Sequence, residues 1–313
     1  MVNNNFLFTI IVPFYETINY VDQTLQSLLT QNKIDQNVIQ VLLIDDGSKH
    51  EIKSKIIQYK NKGLNIEYHR KNNGNWGSVI NFVKNNNLAK GQYITILDSD
   101  DFLSSECLFS VSTFVQQHPS DIVACDYYEW NSKTNHKKRA HTIWAYKNKH
   151  YSSLTKKIWK LKTPYSLPIV KFYRNIVFKR SQDLEEGIPY QDQNLYYQCL
   201  YLSSSYGYIH LPLGFWRNDR SDSSTNMPWN KSKVDAWVNF IKTTANFDAK
   251  MNAYFFLTVK QFAKAYQQYY QEPFALNGKL KKCYILKCFV PLAHLFVFYL
   301  RIKYRKIVVF KSK

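Results

Sequence analysis

The chain of 313 residues is poor in the residues that mark special architectures. Nine glycines and nine prolines are too few for a collagen-like or low-complexity chain. The five cysteines, Cys107, Cys125, Cys199, Cys283 and Cys288, are odd in number, scattered and without a CxxC pair. Neither a disulfide framework nor a zinc site is indicated, and a reducing compartment fits. The N-terminus, MVNNNFLFTIIVPFYE, lacks the basic stretch and long apolar run of a secretion signal. The longest uncharged apolar stretch, Cys288 to Leu300, has 13 residues, short of the roughly 20 that span a bilayer. These absences point to a cytoplasmic protein, soluble or surface-bound. Acidic residues are scarce as well, but only in one half. Residues 1–130 hold 10 Lys+Arg against 14 Asp+Glu, whereas residues 131–313 hold 32 against 9. From Lys279 onward there are ten Lys+Arg and no acid. Such asymmetry fits an anionic partner, either nucleic acid or a membrane surface.

What is present is a folded, globular composition, with 45% apolar and 21% charged residues, enough for one large or two medium domains. Five β-rich runs occupy 8–14, 38–44, 64–69, 92–98 and 121–127. Helical patterns at 20–29, 52–59, 79–88 and 108–115 separate them. Alternating strands and helices predict βαβ units around a mostly parallel sheet. After about residue 130 the rhythm breaks. NSKTNHKKRAH reads as a surface loop or hairpin tip, followed by a strand near 169–173, a helix at about 192–203 and a strand over 206–217. From Trp229 the pattern is helical up to a break at 272–278, and the basic tail follows.

In a parallel α/β sheet, ligands bind outside the carboxyl ends of the strands. Three such ends here carry Pro13-Phe14-Tyr15-Glu16, Asp45-Asp46-Gly47-Ser48 and Asp98-Ser99-Asp100-Asp101. DDGS alone is also an ordinary turn, with Ser48 available as a helix cap. DSDD alone could cap a helix through Asp101 or Ser104. Three carboxylates within four residues repel one another unless a cation lies among them. Their hard oxygens favour Mg²⁺ or Mn²⁺ and, through the metal, a diphosphate.

IIVPFYE, VLLIDDGS and NNGNWGSVINFVKNNNLAKGQYITILDSDDFL, in that order, resemble the donor half of a GT-A glycosyltransferase, specifically glycosyltransferase family 2. The resemblance covers residues 8–130 strongly and 165–226 more weakly. It implies an α/β GT-A catalytic domain over 1–226, Rossmann-like, with a nucleotide-sugar half at 1–130 and an acceptor half at 131–226. A helical region (227–278) and a basic amphipathic tail (279–313) would follow. By the same resemblance Pro13 and Tyr15 line the nucleobase pocket and Asp45 bonds the base or ribose. Asp100 binds the metal, and Asp98 contacts ribose or donor sugar. The chain departs from the family at Glu16, where Asn is usual, and at Val79-Ile80-Asn81, where Ala-Arg-Asn is common.

Inverting transfer needs a base to take the proton of the acceptor hydroxyl. The candidate is Asp192 in GIPYQDQNLYYQCL, where Gln191 replaces the family's Glu. A plain helix cap is the alternative role for Asp192, and Glu185 and Glu186 are the fallback bases. GFWRNDRSDSSTN resembles the family's aromatic-Arg stretch, which implies Arg217 and Ser223 beside the donor pyrophosphate, with Arg220 as the alternative cation. Trp76 and Trp216 are candidate stacking residues, and Lys171 is read as structural. The tail interleaves cations with Leu, Phe, Val and Tyr, a pattern that favours a membrane interface over nucleic acid or a buried helix. The expected protein is a metal-dependent inverting glycosyltransferase on the cytoplasmic face of a bacterial membrane. It would move sugar from a UDP-sugar to a lipid-linked or polymeric acceptor of capsule, exopolysaccharide or teichoic acid. Its rivals are a nucleotidyltransferase and a non-enzymatic nucleic-acid or membrane adaptor.

Overall fold

The computed structural model describes residues 6–143, 145, 147–153, 167–188, 191–221, 223, 230–236, 238, 266 and 268–270, with the backbone of 274–276 and 308–310. The chain divides into two compact units: residues 1–161 with 166–226, and residues 162–165 with 227–313.

In the first unit β1 (Phe8–Phe14), β2 (Ile39–Asp45), β3 (Ile66–Arg70) and β4 (Tyr93–Ile96) alternate with α1 (Val21–Leu29), α2 (Lys53–Asn61) and α3 (Asn75–Asn85). Then come β5 (Phe102–Leu103), α4 (Cys107–Gln117), β6 (Ile122–Trp130), β7 (Lys137–Ala140) and β8 (Lys149–Tyr151). The unit closes with β9 (Lys171–Arg174), α5 (Asn175–Arg180), α6 (Gln191–Leu202) and β10 (Tyr206–Arg217). One sheet holds all ten strands in the order β3-β2-β1-β4-β9-β6-β10-β5, with β7 paired to β6 and β8 to β10.

Burial explains the strand sequences. Every residue of β2 (IQVLLID) is buried, which is why the run is apolar on both faces. Phe8, Ile10, Val12 and Val41 join Leu25 and Leu28 of α1 and Val111 and Phe114 of α4 in one core cluster. Val79, Ile80 and Val83 of α3 and Leu195 and Tyr196 of α6 are buried outside that cluster, and α6 packs on both α3 and α5.

The first four strands are mutually parallel, as the alternation predicts. The full sheet is mixed, however, because antiparallel β9 lies between β4 and β6. A strand contributed by the second half of the chain therefore completes the sheet of the first. Hydrophobic alternation sets which face a residue takes, not which strand becomes its neighbour. NSKTNHKKRAH forms the β6–β7 hairpin and its tip.

In the second unit residues 231–236 are helical, with Lys231 paired to Asp235 at 2.8 Å. The hydroxyl of Tyr270 donates to Asp235. Two short strands, β11 (Phe274–Leu276) and β12 (Val308–Phe310), pair in parallel. β11 lies in the break expected at 272–278, and β12 lies in the expected amphipathic tail. The rest of the tail lies outside the described residues. Among the described residues no helix is long and apolar enough to cross a membrane.

Candidate active site

The strand ends of the first unit bring the acidic motifs together. β2 runs out into Asp45, which is buried and accepts from Ser48 N (2.8 Å) and the Tyr68 hydroxyl (2.9 Å). Gly47, at φ +80°, turns the chain there, so DDGS is both a tight turn and part of the strand-end cluster. Arg70 at the end of β3 lies 3.8 Å from Asp45. Asp46 takes the Lys71 ammonium at 2.6 Å and the Gly74 amide at 3.1 Å. Tyr15 stands 48% exposed beyond β1, with half-buried Pro13 before it. Glu16 holds φ +55°, where its carboxylate accepts from Lys49 N (2.8 Å) and pairs with His50 (2.6 Å). Those bonds hold its carboxyl below the ordinary range.

Beyond β4, Asp98, Asp100 and Asp101 sit in one turn closed by the Asp101 amide on the Asp98 carbonyl (2.9 Å). The Trp76 indole donates to Asp98 at 2.9 Å. Burial, with the charge of Asp100 next, raises the Asp98 carboxyl to about 7. Burial, then the charges of Asp100 and Asp98, push Asp101 upward as well. Asp101 caps no helix: its carboxylate accepts the Arg217 amide at 2.8 Å. Arg220 bonds the Asp100 carboxylate at 2.7 Å. Arg217 reaches the Asp100 carbonyl (3.1 Å) and Gln23 (2.6 Å), between the rings of Tyr20 (4.9 Å) and Trp130 (4.6 Å). Ser223 stands on the turn after β10, its amide 3.5 Å from the Arg220 carbonyl. Two carboxylates of the cluster are thus pushed toward protonation and Arg220 pairs with the third, so a divalent cation on these hard oxygens would have to take the place of Arg220 on Asp100.

Asp192 enters from α6. Burial is the chief influence on it and raises its carboxyl to about 6, against the opposing pull of a Gln193 amide bond and the Lys171 charge. Its charge acts on Asp98, after burial, Asp100 and Trp76. Lys171 of β9 is fully buried, with its ammonium over the Tyr196 ring at 5.3 Å and bonded to the Leu167 carbonyl. Burial lowers it to about 7, while Asp192 pulls it back up. Tyr196 lies one turn beyond Asp192 on the same side of the helix. Lys171 is therefore placed beside the acidic cluster as well as in the core.

The segment before α6 is stitched to α3. Asn81 grips Leu184 through both its side-chain atoms and the Leu184 backbone, each bond 2.8 Å. The Gly187 amide donates to the Gly74 carbonyl at 2.8 Å. Gln191, the departure from the family's Glu, accepts from Glu185 N (3.2 Å) and Asn194 (3.3 Å). Ile80, where the family's arginine is common, is core. Glu186 turns to Asn81 (3.2 Å). Trp216 packs against the core cluster, unlike Trp76 at Asp98. Sequence reasoning missed Tyr20 and Trp130 around Arg217, because Tyr20 comes from the start of α1 and Trp130 from the strand paired with β10, and no motif marks either.

Residues 9–181 match the family described as Glycosyl transferase family 2. An uncharacterised glycosyltransferase of Mycoplasma genitalium is 36% identical over 306 residues, 97% of this chain and 98% of the relative. The poly(ribitol-phosphate) beta-N-acetylglucosaminyltransferase TarS of Staphylococcus aureus is 29% identical over 117 residues, 37% of this chain and 20% of that protein. The crystal structure of TarS 1-349 with UDP-GlcNAc shares the fold, with a TM-score of 0.66 and 17% identity over 95% of this chain and 89% of that one. With a family match across more than half its length and a full-length glycosyltransferase relative, the chain belongs to glycosyl transferase family 2 and is a glycosyltransferase with the GT-A fold.

Proposed function

We propose that the enzyme transfers a sugar, with inversion, from a UDP-sugar to a lipid-linked or polymeric acceptor of the cell surface. The observation that carries the reading is the Asp98–Asp101 turn with Arg217 and Arg220 bonded to Asp100, and Asp192 on α6 near enough for its charge to act on Asp98. Asp192 is the base. Half-buried and raised to about 6, it is ionised near pH 7 and able to receive a proton. Pro13, Tyr15 and Asp45 form the nucleobase side, with Arg70 supplying the cation that Ile80 does not. Asp98 faces ribose or donor sugar. Arg217, Arg220 and Ser223 face the diphosphate, which two guanidinium groups can clamp as it departs. Asp100 would hold Mg²⁺ or Mn²⁺, whose charge would stabilise the leaving diphosphate. The UDP donor is supported by the UDP-GlcNAc of the TarS structure, and a phosphate-bearing acceptor by the name of that protein.

The test is a panel of nucleotide sugars screened for metal-dependent hydrolysis, followed by Asp192→Asn with a competent acceptor. We expect transfer to fall by about 10²- to 10⁴-fold in that variant, the usual contribution of a positioned base. Near wild-type transfer would sink the assignment. Pyrophosphate released in place of UDP would favour a nucleotidyltransferase.

A further inference from the structure

Beyond the donor site, β7 and the residue after it form a cationic row. Lys137 lies opposite Trp130 and Arg139 opposite Tyr128, so Lys137, Arg139 and His141 alternate onto one face about 6.7 Å apart. On that face β6 presents Asp126, Tyr128 and Trp130, and β10 pairs Phe215 with Tyr128 and Arg217 with Trp130.

Asp126 is fully buried beneath the row. One oxygen accepts Arg139 Nε (3.0 Å), Arg139 Nη2 (2.8 Å) and His141 Nδ1 (2.8 Å). The other accepts Thr142 N (3.1 Å) and the Tyr208 hydroxyl (2.7 Å), and Tyr208 also meets His210 at 3.0 Å. Asp126, His141 and His210 have the composition of a metal site, with ligand atoms within 4.8 Å of one another. The carboxylate already takes five hydrogen bonds, three on the oxygen nearest both histidines, so its lone pairs are used. It acts instead as a buried counter-charge that fixes Arg139 and His141, whose side chains stay 32% and 48% exposed.

Next to the row lies a ledge of half-exposed aromatics. Phe102 stacks on Phe215 at 4.5 Å, Trp130 meets Phe102 edge-on at 5.0 Å, and Tyr128 lies 5.2 Å from Phe215. Lys137 sits over Tyr128 at 5.2 Å, and Trp130 carries Arg217 of the donor site. A contiguous row of half-buried aromatics beside fixed cations offers a face on which a ligand's carbon surface can pack. In sequence, residues 131–182 hold 14 Lys+Arg and no acid.

We propose that this face docks the acceptor, and that the acceptor is a phosphate-bearing glycan chain. The cations take phosphate oxygens, and the ledge packs the carbon faces of sugar or polyol units. The ledge ends on Arg217, so a chain laid along it runs into the donor site, which a flat bilayer does not do. The inference rests on Asp98, Asp100 and Asp192 being the transfer site.

Full-length protein is titrated with linear polyphosphate, dextran phosphate and phosphatidylglycerol vesicles. Wild type is compared with Lys137→Gln/Arg139→Gln, with Lys137→Glu, which touches no buried partner, and with Lys53→Gln/Lys60→Gln on α2, an equal charge change. We expect the row variants to bind both phosphate probes about tenfold more weakly and the α2 control to stay within about twofold. Phe215→Ala should weaken dextran phosphate and leave polyphosphate unchanged. Equal losses in row and control variants would overturn the proposal. Lost vesicle binding with phosphate binding retained would also overturn it, in favour of a membrane face. UDP calorimetry on the row variants is the third arm: if UDP affinity falls in step, the row belongs to the donor site and the proposal fails. An Asp192→Asn enzyme that still transfers would refute the base assignment without touching these binding results, so the two failures are separable.

Discussion

Asp192 occupies the first turn of α6, where a short acidic residue is ordinarily a cap. Burial gives it another character, because loss of solvent disfavours the charged form and raises its carboxyl to about 6. The base form exists above that value. Transfer should therefore hold on the alkaline side and fall about tenfold per pH unit below pH 6, read from kcat/KM against pH. The Lys171 charge opposes the rise, so its removal should lift the Asp192 carboxyl further. Lys171→Met, similar in length and apolar, should shift the acidic limb upward, with rate lost near pH 6.5 and regained near pH 8. An unchanged limb would mean that Lys171 only fills the core. At this scale the motif residues were legible: Asp98, Asp100, Asp192 and Arg217 stand in runs whose chemistry and spacing are local. Lys171 as a neighbour of Asp192 was not, because a strand and a helix had to be packed before the two could meet.

Among the elements, α3 does more than cover the sheet. Its Gly77 lets the 184–191 segment approach so closely that an added Cβ would lie 2.6 Å from the Glu185 carbonyl and 3.2 Å from Gln191 Cγ. Backbone cannot give way as a flexible side chain can. Gly77→Ala should cost about 1–3 kcal/mol in a denaturant melt and lower kcat through displacement of α6. Unchanged stability with unchanged kcat would show that the segment tolerates the shift. The strand and helix pattern of residues 8–130 could be read from alternation and turn residues, and β10 falls where its apolar run predicts. The insertion of β9 between β4 and β6 could not, since pairing depends on how the chain returns across the sheet. Gln191 illustrates the same limit. As a departure from the family it looked like a lost carboxylate, and in the fold its amide oxygen ties Glu185 to Asn194.

Over the whole molecule the charge asymmetry acquires places. Acids gather at the strand ends of the first half, and part of the basic excess lies on the acid-free segment that carries the β7 row. The tail from Lys279 carries the rest, and we propose it as an interfacial membrane segment. Truncation after Asn277 should abolish co-sedimentation with anionic vesicles, and pelleting that persists would assign membrane binding elsewhere.

The sequence by itself determined the family, the parallel donor half and the acidic motifs at its strand ends, because these follow from local periodicity and from residues adjacent in the chain. The tertiary structure decided which distant groups meet: Asp98 with Trp76, Arg217 between Tyr20 and Trp130, and Asp126 beneath Arg139 and His141. The reason is physical. Burial and strand pairing create those environments, and both arise only when the second half of the chain packs against the first.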